Sequence, residues 1–335
     1  MNRLPEEIER LVASYLTLPK ILLIRCTSHS FRKAVMYHVP HEAFIKGPIR
    51  YLMASFPYLT DLKLTRSRKY NEDDFEHLGN IQTLVLDIKS ADSMCPSYFK
   101  HLHHLKSLKL LGHTCLFNDT MFDGLVSLEK IWINKNTRIT DGGIQKLVNL
   151  THLYLHEGSK ISTAGLSTMT NLVTLDMYNQ YNVTDDVFRY LLELRNLMMT
   201  MGCITIEGLL HLKKLETLTT LGCTHLRTFK GLDTLPSLTK VSVTYGSIQD
   251  EDLYYLRHVH HLSLLCTDTI LGTGLSYLTK VRRLNLHVLK IKDEHVNVLG
   301  TFSHIQRIHL YDCPGVSKDK RSQLLEQLPG KLCTD

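Results

Sequence analysis

The chain has 335 residues, 43% hydrophobic and 21% charged, with 9 prolines and a formal net charge of +6 at neutral pH. That is apolar material for a large core and too few prolines for a disordered chain, and the positive charge is too mild and dispersed to indicate a nucleic-acid binder. No apolar run reaches the roughly 18 residues of a membrane span, and Glu6, Glu7 and Glu9 stand where a secretory signal would be basic and then apolar, so a cytoplasmic or nuclear setting is expected.

The first 45 residues read as three short helices. Ile8, Leu11, Val12, Tyr15 and Leu16 fall on one helical stripe behind Pro5. Pro19 suits the first turn of a second helix with Ile21, Leu22 and Ile24 on its apolar side, and Phe31, Ala34 and Val35 begin a third. So small a segment makes a meagre core and needs a neighbour, either the following coil or another protein. The stretch LPEEIERLVASYLTLPKILLIRCTSHSFRKAV, residues 4–35, resembles an F-box in order and spacing. The resemblance implies docking on the Skp-type adaptor of a cullin–RING (SCF-type) ubiquitin ligase through Leu4, Pro5, Ile8, Leu11, Leu16 and Ile24. A helical cap would show the same stripes, but residues 41–58 already offer a cap through Ile49, Leu52 and Phe56, which leaves residues 1–35 surplus to capping.

From residue 59 onward the pattern L-x-x-L-x-L recurs. It opens at Leu59, Ile81, Leu105, Leu128, Leu150, Leu172, Leu194, Leu215, Leu238, Val259, Val281 and Ile305, at intervals of 21 to 24 residues. Within one unit, Leu153 and Leu155 alternate as inward residues of a short strand, while Ile144 and Leu147 point inward from a helical turn. Asp141 is expected to cap that turn by accepting from its free N–H groups, and Asp119, Asp185, Asp250 and Asp293 repeat it in register. One coil cannot bury its own apolar ladder, whereas twelve stacked coils can. The repeats resemble the leucine-rich repeats with an ITDxGL turn found in F-box and related intracellular proteins. The expected fold is therefore an α/β leucine-rich-repeat solenoid over residues 46–335 behind a helical module over residues 1–45, with parallel strands on the concave face. The Asn or Cys that ends such segments is found as Asn136, Cys223 and Cys313.

The residues flanking the inward Leu of each strand face the concave surface. In the fourth to sixth coils they include Lys130, Trp132, His152, Tyr154 and Tyr178, an exposed aromatic and basic set of the kind that forms interface hot spots. Aromatics on strands also pack on one another, so the same set serves as a structural stack. Toward the C-terminus the columns hold Arg283 and Arg307 with Asn285, His287, His309 and Tyr311, a basic set suited to an acidic or phosphorylated segment.

Other chemistry finds little footing. His152 and His156 are about 13 Å apart on a strand, too far to share a metal ion. The GTG at 272–274 lies in a repeat turn and lacks the Lys and Ser/Thr of a phosphate loop. The eight cysteines show no CxxC and read as free thiols, and the three N-x-T sequons at Asn118, Asn149 and Asn182 as coincidence. No catalytic, cofactor or metal residues are assigned. The expectation is a substrate-recognition adaptor rather than an enzyme, its F-box bound to the Skp-type adaptor and its repeats to a protein substrate. A scaffold unrelated to ubiquitin, or a decoy that occupies the adaptor, would share these features.

Overall fold

The computed structural model describes residues 49–57, 59–65, 70–87, 95–111 and 117–334. The helical segment expected over residues 1–45, with Leu4, Pro5, Ile8, Leu11, Leu16 and Ile24, lies outside them. The described residues fall into two compact units that divide between Leu166 and Ser167.

In the first unit a helix, Ile49–Ser55, precedes five strands: β1 (Asp61–Thr65), β2 (Thr83–Asp87), β3 (Ser107–Leu111), β4 (Lys130–Ile133) and β5 (His152–Leu155). Each is parallel to the next and in full register, so that Leu62, Leu84, Leu108, Ile131 and Leu153 form one row. All five are buried, as are Leu64, Leu86, Leu110, Ile133 and Leu155 two residues on. Full burial of such a side chain contributes about 1.5–3 kcal/mol, and it is achieved only because neighbouring coils cover one another. The helix Ile49–Ser55 behaves as the expected cap: Ile49, Leu52 and Phe56 are buried, and the Ile49 N–H donates to Asp74 Oδ1 at 3.3 Å.

The second unit repeats the plan with eight strands: β6 (Thr174–Tyr178), β7 (Asn196–Thr200), β8 (Thr217–Leu221), β9 (Lys240–Thr244), β10 (His261–Leu265), β11 (Arg283–His287), β12 (Arg307–Tyr311) and β13 (Leu332–Thr334). All pair in parallel with their sequence neighbours inside the unit. Strand β13 is an addition to the twelve units read from the repeat. Between Leu328 and Leu332 the chain carries one residue more than L-x-x-L allows, and Gly330, at φ 69°, takes the left-handed conformation that absorbs it.

The helical turns overturn one expectation. Thr140, not Asp141, is the N-cap of the turn Asp141–Ile144, and it makes no side-chain capping bond. Asp141 instead reaches the next coil, where its carboxylate accepts from Ser162 N–H at 2.7 Å and Ser162 Oγ at 2.6 Å. Asp119 does the same to Thr140 (2.8 and 2.6 Å), Asp185 to Thr205 (2.9 and 2.5 Å) and Asp293 to Ser317 (2.7 and 2.6 Å). The free N–H groups that begin one turn are thus satisfied by a carboxylate from the coil before it. A glycine three residues after three of these donors, Thr140, Ser162 and Thr205, makes room. A Cβ on Gly143, Gly165 or Gly208 would lie 2.2, 2.2 or 2.5 Å from the stapling carboxylate oxygen.

Candidate partner-binding faces

On each unit the side chains beside the buried row of a strand point outward and align across the strands in columns. In the first unit the register pairs Lys130 with His152 and Trp132 with Tyr154. The two rings stack with centroids 4.4 Å apart and planes 7° from parallel, and Lys109 Nζ, on β3, lies 5.7 Å from the Trp132 centroid. Such a pair contributes about 0.5–1.5 kcal/mol beyond its area, with a further increment from the cation. Trp132 and Tyr154 are both half-buried, so the tryptophan is less open than its sequence position implied. His152 accepts or donates through Nδ1 to Thr151 Oγ1 at 2.8 Å. Burial, and then the charge of Lys130, holds its pKa below the ordinary value, which keeps the imidazole neutral at pH 7. The arrangement is a flat aromatic plate with cations along its edge. Tyr178 stands in the second unit, on β6, where its register partner is Thr200.

The second unit brings Arg283 and Arg307 together as register partners on β11 and β12, both exposed. Their column continues without a break through His261 on β10 to Lys240 on β9. Neither was assigned to the basic set in the sequence, although aligning every unit on its first strand position puts all four in one column. The neighbouring column holds Ser242, Ser263, Asn285 and His309. Together they line an open basin of about 650 Å³. Strands β9 to β12 carry no acidic residue. Ion pairs in this unit form elsewhere, as with Arg195 and Glu216 at 2.7 Å, Lys214 and Glu193 at 2.5 Å, and Arg257 and Asp233 at 2.7 Å. Burial and the positive charges of Arg283 and Lys240 lower the pKa of His261, so its ring is neutral at pH 7 and the column carries three fixed cations. His287, two columns over, is engaged by Asp312 at 2.9 Å.

Among the described residues one trio could approach a metal ion, Glu72, Glu76 and His101. Glu72 is already taken by Lys100 Nζ at 2.5 Å, a hydrogen bond that holds its carboxyl below the usual range. The GTG turn has an internal occupant too: Asp250 Oδ1 accepts from the N–H groups of Gly272 at 2.9 Å and Gly274 at 3.1 Å, filling the place an outside anion would take. Cys95, Cys203, Cys223, Cys266, Cys313 and Cys333 are free thiols. No helix among the described residues is long and apolar enough to cross a membrane.

No protein-family model matches the chain, and no curated protein sequence matches it. Solved structures do. An internalin from Listeria monocytogenes superposes over 84% of this chain and 81% of its own, at a TM-score of 0.59 and 16% identity. TLR13, solved in a complex with the RNA ssRNA13, matches over 84% of this chain and 51% of its own, at 0.54 and 18%. Toll, from the Drosophila Toll–Spatzle complex, matches over 79% and 44%, at 0.52 and 14%. At such identities the likeness establishes the fold, a leucine-rich-repeat solenoid.

Proposed function

We propose that this leucine-rich-repeat solenoid is the substrate-recognition adaptor of a cullin–RING ubiquitin ligase, with residues 1–45 docking a Skp-type adaptor and the outward strand faces selecting a protein. The observation that carries the reading is the F-box pattern of residues 4–35 placed ahead of a leucine-rich-repeat fold. The described strand faces supply the second half. Each offers a row of side chains that the core does not need, half-buried aromatics on β4 and β5 and cations on β9, β11 and β12. Among the structural neighbours, Toll was solved in a complex with Spatzle and TLR13 in one with ssRNA13. The mild net charge of +6 favours a protein here. The active ligase would be contributed by other subunits, and the chain acts by binding.

The test is affinity purification with mass spectrometry, comparing the full chain, the double variant Leu4→Ala/Pro5→Ala, and residues 46–335. The expected result is loss of the Skp-type adaptor from both altered forms while their melting temperatures stay at that of the parent. Undiminished adaptor recovery from the double variant would reduce the first 45 residues to a cap and the protein to a scaffold.

A further inference from the structure

Beside the basin on the second unit runs a feature that the core does not explain. The residue after each of strands β6 to β12 enters the left-handed region: Asn179 (φ 54°), Met201 (48°), Gly222 (62°), Tyr245 (53°), Cys266 (50°), Val288 (54°) and Asp312 (49°). The backbone geometry has a clear purpose, since the N–H of Tyr245 donates to Leu265 O at 3.0 Å, that of Cys266 to His287 O at 2.9 Å and that of Val288 to Tyr311 O at 3.1 Å. Gly, Asn or Asp would serve that purpose with less strain, and Gly222 and Asp312 do so. Methionine, tyrosine and a β-branched valine are the wrong choices for the conformation, and they are spent on solvent. Met201, Tyr245 and Val288 are 47%, 61% and 40% exposed.

The unit thus carries two parallel rails. One is cationic, at the strand starts, and one, just past the strand ends and roughly 16 Å away across five residues of strand, is apolar past β9 to β11 and ends past β12 in Asp312, which His287 engages at 2.9 Å. The floor between them under β9 and β10 is low because Ser242 and Ser263 are small. We infer that this trough binds an acidic amphipathic α-helix of a partner protein, laid across β9 to β12 with its carboxylates on Lys240, Arg283 and Arg307 and its apolar stripe on Tyr245 and Val288. A helix is about 10–12 Å across, and the flexible arginine and lysine side chains span the remainder. The periods agree as well. Strands repeat every 4.8 Å or so and a helix every 5.4 Å, so one carboxylate per turn keeps step with one column residue per strand to within about 2 Å over the whole trough. An extended phosphorylated segment repeats on one face about every 6.6 Å and falls out of step. A nucleic-acid backbone would need a longer track. The same column on β6 to β8 is uncharged, with Thr174, Asn196 and Thr217.

This proposal rests on reading the strand face of the second unit as partner-binding, and the experiment separates the two. Fluorescence anisotropy on the full chain would compare four labelled probes. Two are 15-residue peptides of one composition, with Glu and Leu at i, i+4, i+7 and i+11 on adjoining stripes in one and in strict alternation in the other. The third is a phosphoserine peptide and the fourth a 12-nucleotide single-stranded RNA. The expected result is that the helical-register peptide binds at least about ten-fold tighter than the other three and gains helicity on binding. Arg283→Glu with Arg307→Glu should weaken it by about ten-fold or more, and Tyr245→Ser by a smaller factor. Arg283→Gln with Arg307→Gln replaces the Glu pair if the latter lowers the melting temperature. Equal binding of the two isomeric peptides, tighter binding of the phosphopeptide or RNA, or indifference to the variants overturns the proposal. If no peptide binds yet the arginine variants lose natural partners in pull-downs, the helix is wrong and the face stands. If partner recovery is also unchanged, both fall.

Discussion

The carboxylate of Asp119 occupies the space that Gly143 leaves empty: a Cβ on that glycine would sit 2.2 Å from Asp119 Oδ1, while one on the adjacent Gly142 would have nothing closer than 3.7 Å. Two neighbouring glycines of one turn therefore have opposite roles. Gly143→Ala should destabilise by about 1–3 kcal/mol, because the staple to Thr140 must shift. Gly142→Ala should be neutral or stabilising by up to about 1 kcal/mol, since alanine restricts the unfolded chain and suits a helical turn. Urea titrations of the two variants check this directly, and equal changes would mean that the staple does not hold its coil.

Asn136 is fully buried and satisfied at both ends of its amide, donating to Phe117 O at 2.9 Å and accepting from Arg138 and Ile139 N–H at 2.8 Å each. Its replacement by Ala leaves buried backbone groups unpaired, and a loss of about 2–4 kcal/mol is expected. Asn149 makes one exposed bond, to Val126 O at 2.8 Å, so Asn149→Ala should change stability by under about 0.5 kcal/mol. Thermal melts of the pair provide an internal control.

Trp132 has a structural contact in its stack on Tyr154 and a free remainder. Truncation to Ala should cost about 1–2 kcal/mol of stability from the lost stack and partial burial. If the plate is a hot spot, it should also lower partner affinity by about 30-fold to 1000-fold, whereas Lys130→Ala and His152→Ala at its edge should have little effect. Surface plasmon resonance against a recovered partner, beside circular dichroism melts, measures both. A variant that melts as expected and keeps full affinity would leave the stack purely structural.

Asp293 is held below the usual aspartate pKa by hydrogen bonds from Ser317 Oγ and N–H. A carboxyl depressed in the folded state contributes stability that is complete above its unfolded pKa, near 3.9, and disappears as the pH falls through the folded value. The parent should therefore melt above Asp293→Asn at pH 7, and the two curves should draw together only as the pH falls below the unfolded aspartate value. A gap that stays constant between pH 7 and pH 2.5 would assign the loss to packing rather than to the ionised staple.

The inward rows and the cap helix were legible because burial imposes a period that no other arrangement of Leu, Ile and Val satisfies. The staple was only half legible. Asp at a turn start usually serves its own turn, and the sequence does not reveal that the next coil lies within 2.7 Å of it. The polar plug at the strand-end turn was visible as Asn136, Cys223 and Cys313 but missed as Gln180 and Thr267, both buried. Gln180 donates to Tyr178 O and Thr267 to Leu265 O, so different chemistry meets the same need. In the sites, the column through Lys240, His261, Arg283 and Arg307 required only the register, whereas the ridge required knowing which residues leave the strand with positive φ. Helix and strand periods carry no trace of that turn.

The turn behind the ridge also decides how this surface can vary. Asn179, Met201, Gly222, Tyr245, Cys266 and Val288 occupy it with nearly the same backbone, and each donates its N–H to the last residue of the next strand, so that bond does not depend on which side chain is attached. A substitution there alters the outer rim and leaves the stacked leucines untouched. The second unit therefore has a set of interchangeable positions, one after each of β6 to β12, at which its outer rim can drift in single mutational steps while the solenoid beneath is inherited unchanged.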